Sequence, residues 1–380
     1  MIPPELAEEV LDDLDVMRAR DPRSLLPAVA GAGAQVRETA RLTRETGLAR
    51  ITDGGRPRGL VIVARREGAV AASVLRALLG PASPVTVDVL PGPALPAWTG
   101  PSDVVVVATR TGAGAYAVGP AYEAARRGIS LLGIGGEDAP LRAACSVARA
   151  PYVALPGSRV QHTTLWSLLT PMLLLASDLG LLPGDVANPE AIAAALDATA
   201  QECGPARETV VNPAKTLALE LLDSLPVIAA EGPLAGAAGT RIADQLATLA
   251  GLPATDFRLP DQRVAACAVL GGPLAPHDAD DFFRDRADDA GRRLRLLTIR
   301  DALAGGHDGA GEREPRSAGE AMEEVLRTAA RHNVPVSGLA EQGEAASSGR
   351  LPRLARQLAV ADFTAVYLGL ALDTERGGRP

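Results

Sequence analysis

Short continuous apolar runs alternate along this chain with stretches in which apolar residues recur every three or four positions. The continuous runs fall at 59–64 (GLVIVA), 85–90, 104–107, 129–134 and 152–155, then at 226–230, 264–270 and 294–298. Runs of this kind suit strands buried on both faces of a parallel sheet. The periodic stretches predict helices over 34–46, 69–79, 164–179, 191–202, 236–249, 320–331 and 354–372, and one ending at Arg126-Arg127-Gly128. Leu6, Val10, Leu14 and Met17 keep helical spacing, so one amphipathic helix is expected over 5–20. Asn212 followed by Pro213 reads as a helix N-cap and first helical position. Turns or loops are expected at 54–57, 305–319 and 91–101, the last with four prolines and two glycines.

Strands alternating with helices predict an α/β fold in which each parallel sheet has helices on both faces. At 380 residues the chain exceeds one ordinary core. The segment LPGDVANP at 182–189 is the natural break, dividing the chain into 1–185 and 186–380.

Composition narrows the function classes. The formal net charge of -8 and an aromatic content of 3% oppose nucleic-acid binding, which needs a basic surface and stacking rings. Lys215 is the single lysine among 38 basic residues, so arginine number says little about anion recognition. Cys145, Cys203 and Cys267 form no CxxC or Cys/His cluster, which argues against a metal site and for a reducing cytoplasm. The acidic first 21 residues do not read as a secretory leader. The apolar stretch 165–182 contains Ser167, Thr170, Pro171, Ser177 and Asp178, so a buried helix is expected there and no membrane partner.

The richest chemistry lies in 103–136. A valine strand runs into Thr109-Arg110-Thr111-Gly112-Ala113-Gly114, then a helix and a second strand. Hydroxyls and glycines at a helix start suit a phosphate, because free N–H groups and the helix dipole favour an anion. The same pattern also fits a tight turn that binds nothing. Gly133-Ile134-Gly135-Gly136 lacks the full GxGxxG spacing, so no dinucleotide and no other cofactor is expected. In the run 276–281, His277 and its neighbouring carboxylates fit either a cation or a solvated loop.

The Thr/Gly turn, the NPAK segment at 212–215, RIADQL at 241–246 and the closing DFTAVYL at 362–368 occur in an order that resembles the bifunctional phosphoglucose/phosphomannose isomerases. That family has two SIS (sugar isomerase) domains. The Ala/Gly/Pro/Arg bias looks actinobacterial. The resemblance implies a three-layer α/β/α domain in each half, a homodimer, a sugar-phosphate ligand and aldose–ketose isomerisation of hexose 6-phosphates. It places phosphate contacts at Thr109, Thr111, Gly112 and Gly114, and assigns Arg65 and Arg66 to the family's first glycine-rich loop.

The departures bear on activity. Isomerisation through an enediol needs a base and a ring-opening group. The family's glutamate and histidine segments fall here on 247–251 (ATLAG) and 260–265 (PDQRVA), so Thr248 and Val264 stand where proton-transfer groups are expected. His162, near the family's active-site arginine and three residues after Arg159, and Asp261 are the substitute catalytic candidates. Lys215, within NPAK, reads first as a solvated lysine after the N-cap, with a structural, dimer-interface or catalytic role as alternatives. Glu67, beside Arg65 and Arg66, would repel a phosphate. Two readings follow: a phosphosugar isomerase with displaced catalytic groups, or a catalytically inactive sugar-phosphate sensor or scaffold.

Overall fold

The computed structural model describes residues 3–157, 159–183, 185–275, 293–301, 317–339 and 349–374. The expectations for His277 and for most of 305–319 lie outside them. The chain forms two compact units, Ala30–Asp197 (the first unit) and Met1–Val29 with Ala198–Pro380 (the second). The residues before 30, grouped by the sequence division with the first half, thus pack with the second.

The elements are α1 (Pro4–Asp12), α2 (Leu14–Arg20), α3 (Leu25–Ala30), α4 (Ala32–Glu45), α5 (Ala49–Thr52), β1 (Gly59–Ala64), α6 (Glu67–Leu79) and β2 (Thr86–Leu90). Next come β3 (Val104–Ala108), α7 (Ala115–Arg127), β4 (Ser130–Gly136), α8 (Pro140–Val147), β5 (Tyr152–Leu155), α9 (Leu165–Asp178) and α10 (Pro189–Glu202). The remainder are α11 (Pro213–Leu221), β6 (Ser224–Glu231), α12 (Pro233–Ala250), β7 (Thr255–Leu259), α13 (Arg263–Leu270), β8 (Arg293–Arg300), α14 (Ala318–Arg331), β9 (Val336–Gly338) and α15 (Arg350–Leu372).

In the first unit the described residues form a five-stranded parallel sheet of order β2-β1-β3-β4-β5. Its central strands are buried throughout. Val61, Val63, Val105 and Val107 pack against Ala117, Ala121 and Ala124 of α7 and Leu141 and Ala144 of α8. Alternation sends Leu60, Ile62, Val104 and Val106 to the opposite face. There α6 and α4 each pack against α9.

The second unit repeats the plan with a four-stranded parallel sheet, order β7-β6-β8-β9. Val227, Ala229 and Leu296 meet Ala321, Met322 and Val325 of α14 on one face. On the other, α12 and α11 pack against α15. Both sheets are therefore of the α/β type that the alternating runs predict.

Two expectations need correction. The helix expected over 5–20 is two helices, because Asp13 leaves helical geometry (φ -96, ψ 106) and its carboxylate accepts the N–H groups of Asp15 and Val16 as the N-cap of α2. The run 264–270 is not a strand but α13. It contains Ala265, Ala266 and Ala268, good helix formers, and Ala266 and Leu270 face the core one helical turn apart. A seven-residue apolar run does not distinguish the two states by period. The strand lies just before it at β7, where Phe257 and Leu259 reach the core and polar neighbours disguise the pattern.

Candidate functional site

The order of the first sheet reverses between β1 and β3: the chain goes from β1 to β2 on one side, then crosses back to β3 on the other. Such a switch point leaves a crevice beyond the C-terminal strand ends, where open α/β sheets hold ligands. Ala64 and Ala108 are register partners, so the segments 65–67 and 109–114 leave the sheet side by side.

The 109–114 turn is built to stay tight. Thr109 N–H donates to the Ile134 carbonyl at 3.0 Å, and Leu141 N–H donates to the Gly112 carbonyl at 3.0 Å. Gly112 has φ +68, and a Cβ there would lie 2.5 Å from the Ala139 Cβ. Thr109 is buried, and its hydroxyl has no partner among the described residues. Thr111 is exposed and its hydroxyl receives only a long 3.5 Å contact from the Ala113 N–H. Gly114 starts α7 with no side-chain cap, so the first N–H groups of a 13-residue helix remain available.

Arg65 and Arg66 flank this turn with different freedom. The Arg65 guanidinium lies 4.4 Å from the Tyr116 ring centroid, and its Nε donates to the Pro91 carbonyl at 2.7 Å. It therefore braces the first turn of α7. Arg66 has φ 50 at the start of α6, with an exposed side chain that has no partner among the described residues.

The carboxylate expected to repel a phosphate is turned away. Glu67 is buried, accepting the Thr164 backbone N–H at 2.8 Å and the Thr164 hydroxyl at 2.7 Å. These bonds tie the segment before α9 to the switch point. His162 sits in that segment, buried, with left-handed backbone (φ 72). A non-glycine residue held there costs free energy and persists only where its surroundings enforce it. Thr109, Thr111, Gly112, Gly114, Arg65 and Arg66 are thus collected at one switch point, with His162 tied to it through Thr164.

Asp261 is exposed and belongs to the second unit, in the turn between β7 and α13. Lys215 is not a solvated lysine. It is buried, and its ammonium donates to Asp12 at 3.2 Å, the Pro205 carbonyl at 3.0 Å and the Arg207 carbonyl at 2.7 Å. Three N–H groups meet three acceptors, leaving none for a ligand. Burial pulls the Lys215 pKa below its ordinary value, with Asp12 opposing that pull. Asn212 caps α11 as expected, accepting from the N–H groups of Ala214 and Lys215 at 3.1 Å.

The glycines at 133–136 belong to β4 and form no nucleotide turn. A Cβ on Gly133 would lie 2.4 Å from the Cys145 sulfur, so close packing explains them. Burial pushes the Cys145 thiol up to about 12, which makes it inert as a nucleophile. Among the described residues, no group of three His, Cys, Asp or Glu side chains is placed to hold a metal. No described helix is long and apolar enough to cross a membrane. Sequence reasoning misses the Glu67–Thr164 contact, since its partners lie 97 residues apart.

Two parallel α/β units with a hydroxyl-and-glycine turn at the first switch point define a SIS-type architecture. Residues 210–375 match the family described as the bacterial phospho-glucose isomerase C-terminal SIS domain. Among solved structures, a candidate phosphosugar isomerase from Silicibacter pomeroyi is similar at 16% identity and TM-score 0.59, over 93% of this chain and 98% of that one. A hypothetical protein from Thermus thermophilus is similar at 13% identity and TM-score 0.65, over 97% and 89% of the two chains. The C-terminal domain of glucosamine-fructose-6-phosphate aminotransferase from Francisella tularensis is similar at 11% identity and TM-score 0.54, over 92% and 96%. At these identities the likeness is one of fold. No curated protein matches the sequence. The family match thus covers residues 210–375, and the structural matches show that a fold of this kind extends over most of the chain.

Proposed function

We propose that the first unit binds a sugar phosphate, with the phosphate at residues 109–114. The carrying observation is convergence at the β1/β3 switch point: the Thr109 hydroxyl without a partner among the described residues, the exposed Thr111 hydroxyl, the uncapped start of α7 and the exposed Arg66. An oxyanion there accepts hydrogen bonds that the protein leaves unmade. The supporting comparisons are the SIS match over 210–375, which lies in the second unit, and the likeness in fold to a candidate phosphosugar isomerase over 93% of this chain. In this reading the protein is a divergent relative of the bifunctional phosphoglucose/phosphomannose isomerases that acts as a cytoplasmic homodimer, needs no cofactor, and binds phosphosugar as a sensor or scaffold.

The test is calorimetric titration of the full chain with glucose 6-phosphate, fructose 6-phosphate and mannose 6-phosphate, beside the unphosphorylated sugars. Binding that requires the phosphate and weakens in Thr109→Val supports the reading. No heat and no thermal stabilisation with any phosphosugar overturns it. Sedimentation tests the dimer.

A second reading, isomerase activity, is favoured by one observation, the buried left-handed His162 tied to the switch point through Thr164. An imidazole has the pKa range for proton transfer at neutral pH. Conversion of glucose 6-phosphate to fructose 6-phosphate that disappears in His162→Gln, with phosphosugar binding retained, would establish it.

A further inference from the structure

The second sheet has its own switch point, and the residues there are not used by the reading above. Its order reverses between β6 and β8, leaving a crevice beyond their C-terminal ends. Glu231 ends β6 and is the register partner of Arg300 at the end of β8. Glu231 is 4% exposed, and its Oε2 is buried with no hydrogen-bond partner among the described residues. The Arg300 Nε lies 3.5 Å from that oxygen, an ion contact without hydrogen-bond alignment. Arg300 is half exposed and divides itself between Glu231 and Glu323, the latter at 3.4 Å. The neighbouring Arg350 is committed to Asp301 at 2.6 and 3.3 Å. Beside Glu231, Gly232 takes φ +92 and starts the 18-residue α12 without a side-chain cap.

A carboxylate oxygen removed from water without hydrogen-bond donors loses hydration that an unaligned ion contact restores only in part. Its cost is recovered when a ligand supplies the donors. Burial pushes the Glu231 carboxyl above its ordinary range; Arg300 opposes this, and Glu323 and Asp301 add to it. The charge pattern selects the ligand. An ammonium would face Arg300 and Arg350, and a phosphate would face Glu231, Asp301 and Glu323. A neutral polyhydroxylated molecule avoids both conflicts while offering O–H donors to the carboxylate.

We propose that the crevice at the ends of β6 and β8 is a second ligand site, in which Glu231 accepts hydrogen bonds from hydroxyls of a neutral sugar or polyol. It is independent of the phosphate site in the first unit.

Saturation-transfer NMR or calorimetry on the full chain with glucose, sorbitol and myo-inositol tests this. Wild type, Glu231→Ala, Glu231→Gln and Thr109→Val are compared. At least one polyol is expected to bind wild type and Thr109→Val equally, and Glu231→Ala about tenfold more weakly, the effect of losing a charge-assisted hydrogen bond. No polyol binding to wild type overturns the proposal. Binding unchanged in Glu231→Ala, or abolished in Thr109→Val, also overturns it.

Unliganded stability gives an independent readout. With its folded-state pKa raised, Glu231 makes wild type lose stability as pH rises from the unfolded value of about 4.3 through the folded value. Glutamine does not titrate, so Glu231→Gln is expected to raise Tm at neutral pH, with the gain vanishing below about pH 4. Arg300, Arg350, Asp301 and Glu323 are common to both proteins. A lower Tm for Glu231→Gln at neutral pH would mark the carboxylate as structural and sink the proposal.

Discussion

Thr164 donates both its backbone N–H and its hydroxyl to the Glu67 carboxylate, at 2.8 and 2.7 Å, from 97 residues away. This pair joins the start of α6 to the start of α9 and turns a negative charge inward beside a proposed anion site. Glu67→Ala leaves the Thr164 donors without an acceptor and is expected to lower the unfolding free energy by about 2–3 kcal/mol. Glu67→Gln, which keeps one acceptor oxygen, is expected to cost less. Urea unfolding of the two variants checks the order; equal losses would mean that packing, not hydrogen bonding, holds the contact.

Thr109→Val tests the anion site with little disturbance of the fold. The hydroxyl has no partner among the described residues, so Tm is expected to stay near wild type. Phosphosugar affinity is expected to fall about tenfold, the loss of one hydrogen bond to a charged oxygen. Unchanged affinity by calorimetry would remove Thr109 from the site.

Gly112→Ala tests the shape of the turn. At φ +68, with the new Cβ 2.5 Å from the Ala139 Cβ, the substitution combines left-handed strain with a collision. A loss of about 2 kcal/mol or more is expected, together with loss of phosphosugar binding. A fully stable variant that still binds would show that the turn tolerates a different shape.

The Asp12–Lys215 pair predicts an acid-sensitive contact in the second unit. Burial raises the Asp12 carboxyl, but the Thr209 hydroxyl and Lys215 outweigh it, and the net shift is downward. A lowered carboxyl contributes stability that is present above the unfolded value of about 3.9 and disappears as pH falls through the folded value. Asp12→Asn is therefore expected to be less stable than wild type at neutral pH, with the difference shrinking in acid. Lys215→Met, which strips the Pro205 and Arg207 carbonyls of their donor, is expected to cost about 2 kcal/mol at neutral pH. Thermal unfolding across pH checks both; a constant Asp12→Asn difference down to strong acid would exclude the titration.

The strands at 59–64 and 152–155 are readable to the residue because their continuous apolar runs end in turns. The N-cap at Asn212 and the helix end at Gly128 are equally legible, since a side-chain acceptor and a left-handed glycine are local devices. The run 264–270 is not, because a short apolar segment fits a strand or a helix equally well before its neighbours are known. β9 leaves no trace in the pattern because only Ser337 of its three residues is buried.

For the candidate site, local order along the chain identifies Thr109, Thr111 and the two glycines, since hydroxyls before a helix carry their meaning within six residues. It gives Glu67 the role of a repelling charge and leaves Lys215 open between several roles. Those two assignments depend on partners distant in the chain: Thr164 for Glu67, and Asp12 with the Pro205 and Arg207 carbonyls for Lys215. Glu231 draws no attention in the sequence, because one glutamate after an apolar run looks like any strand end. Periodicity and capping are encoded over a few residues, so sequence alone determines them. Which charges are buried, and which are left without a donor, is a property of packing, and only the assembled units decide it.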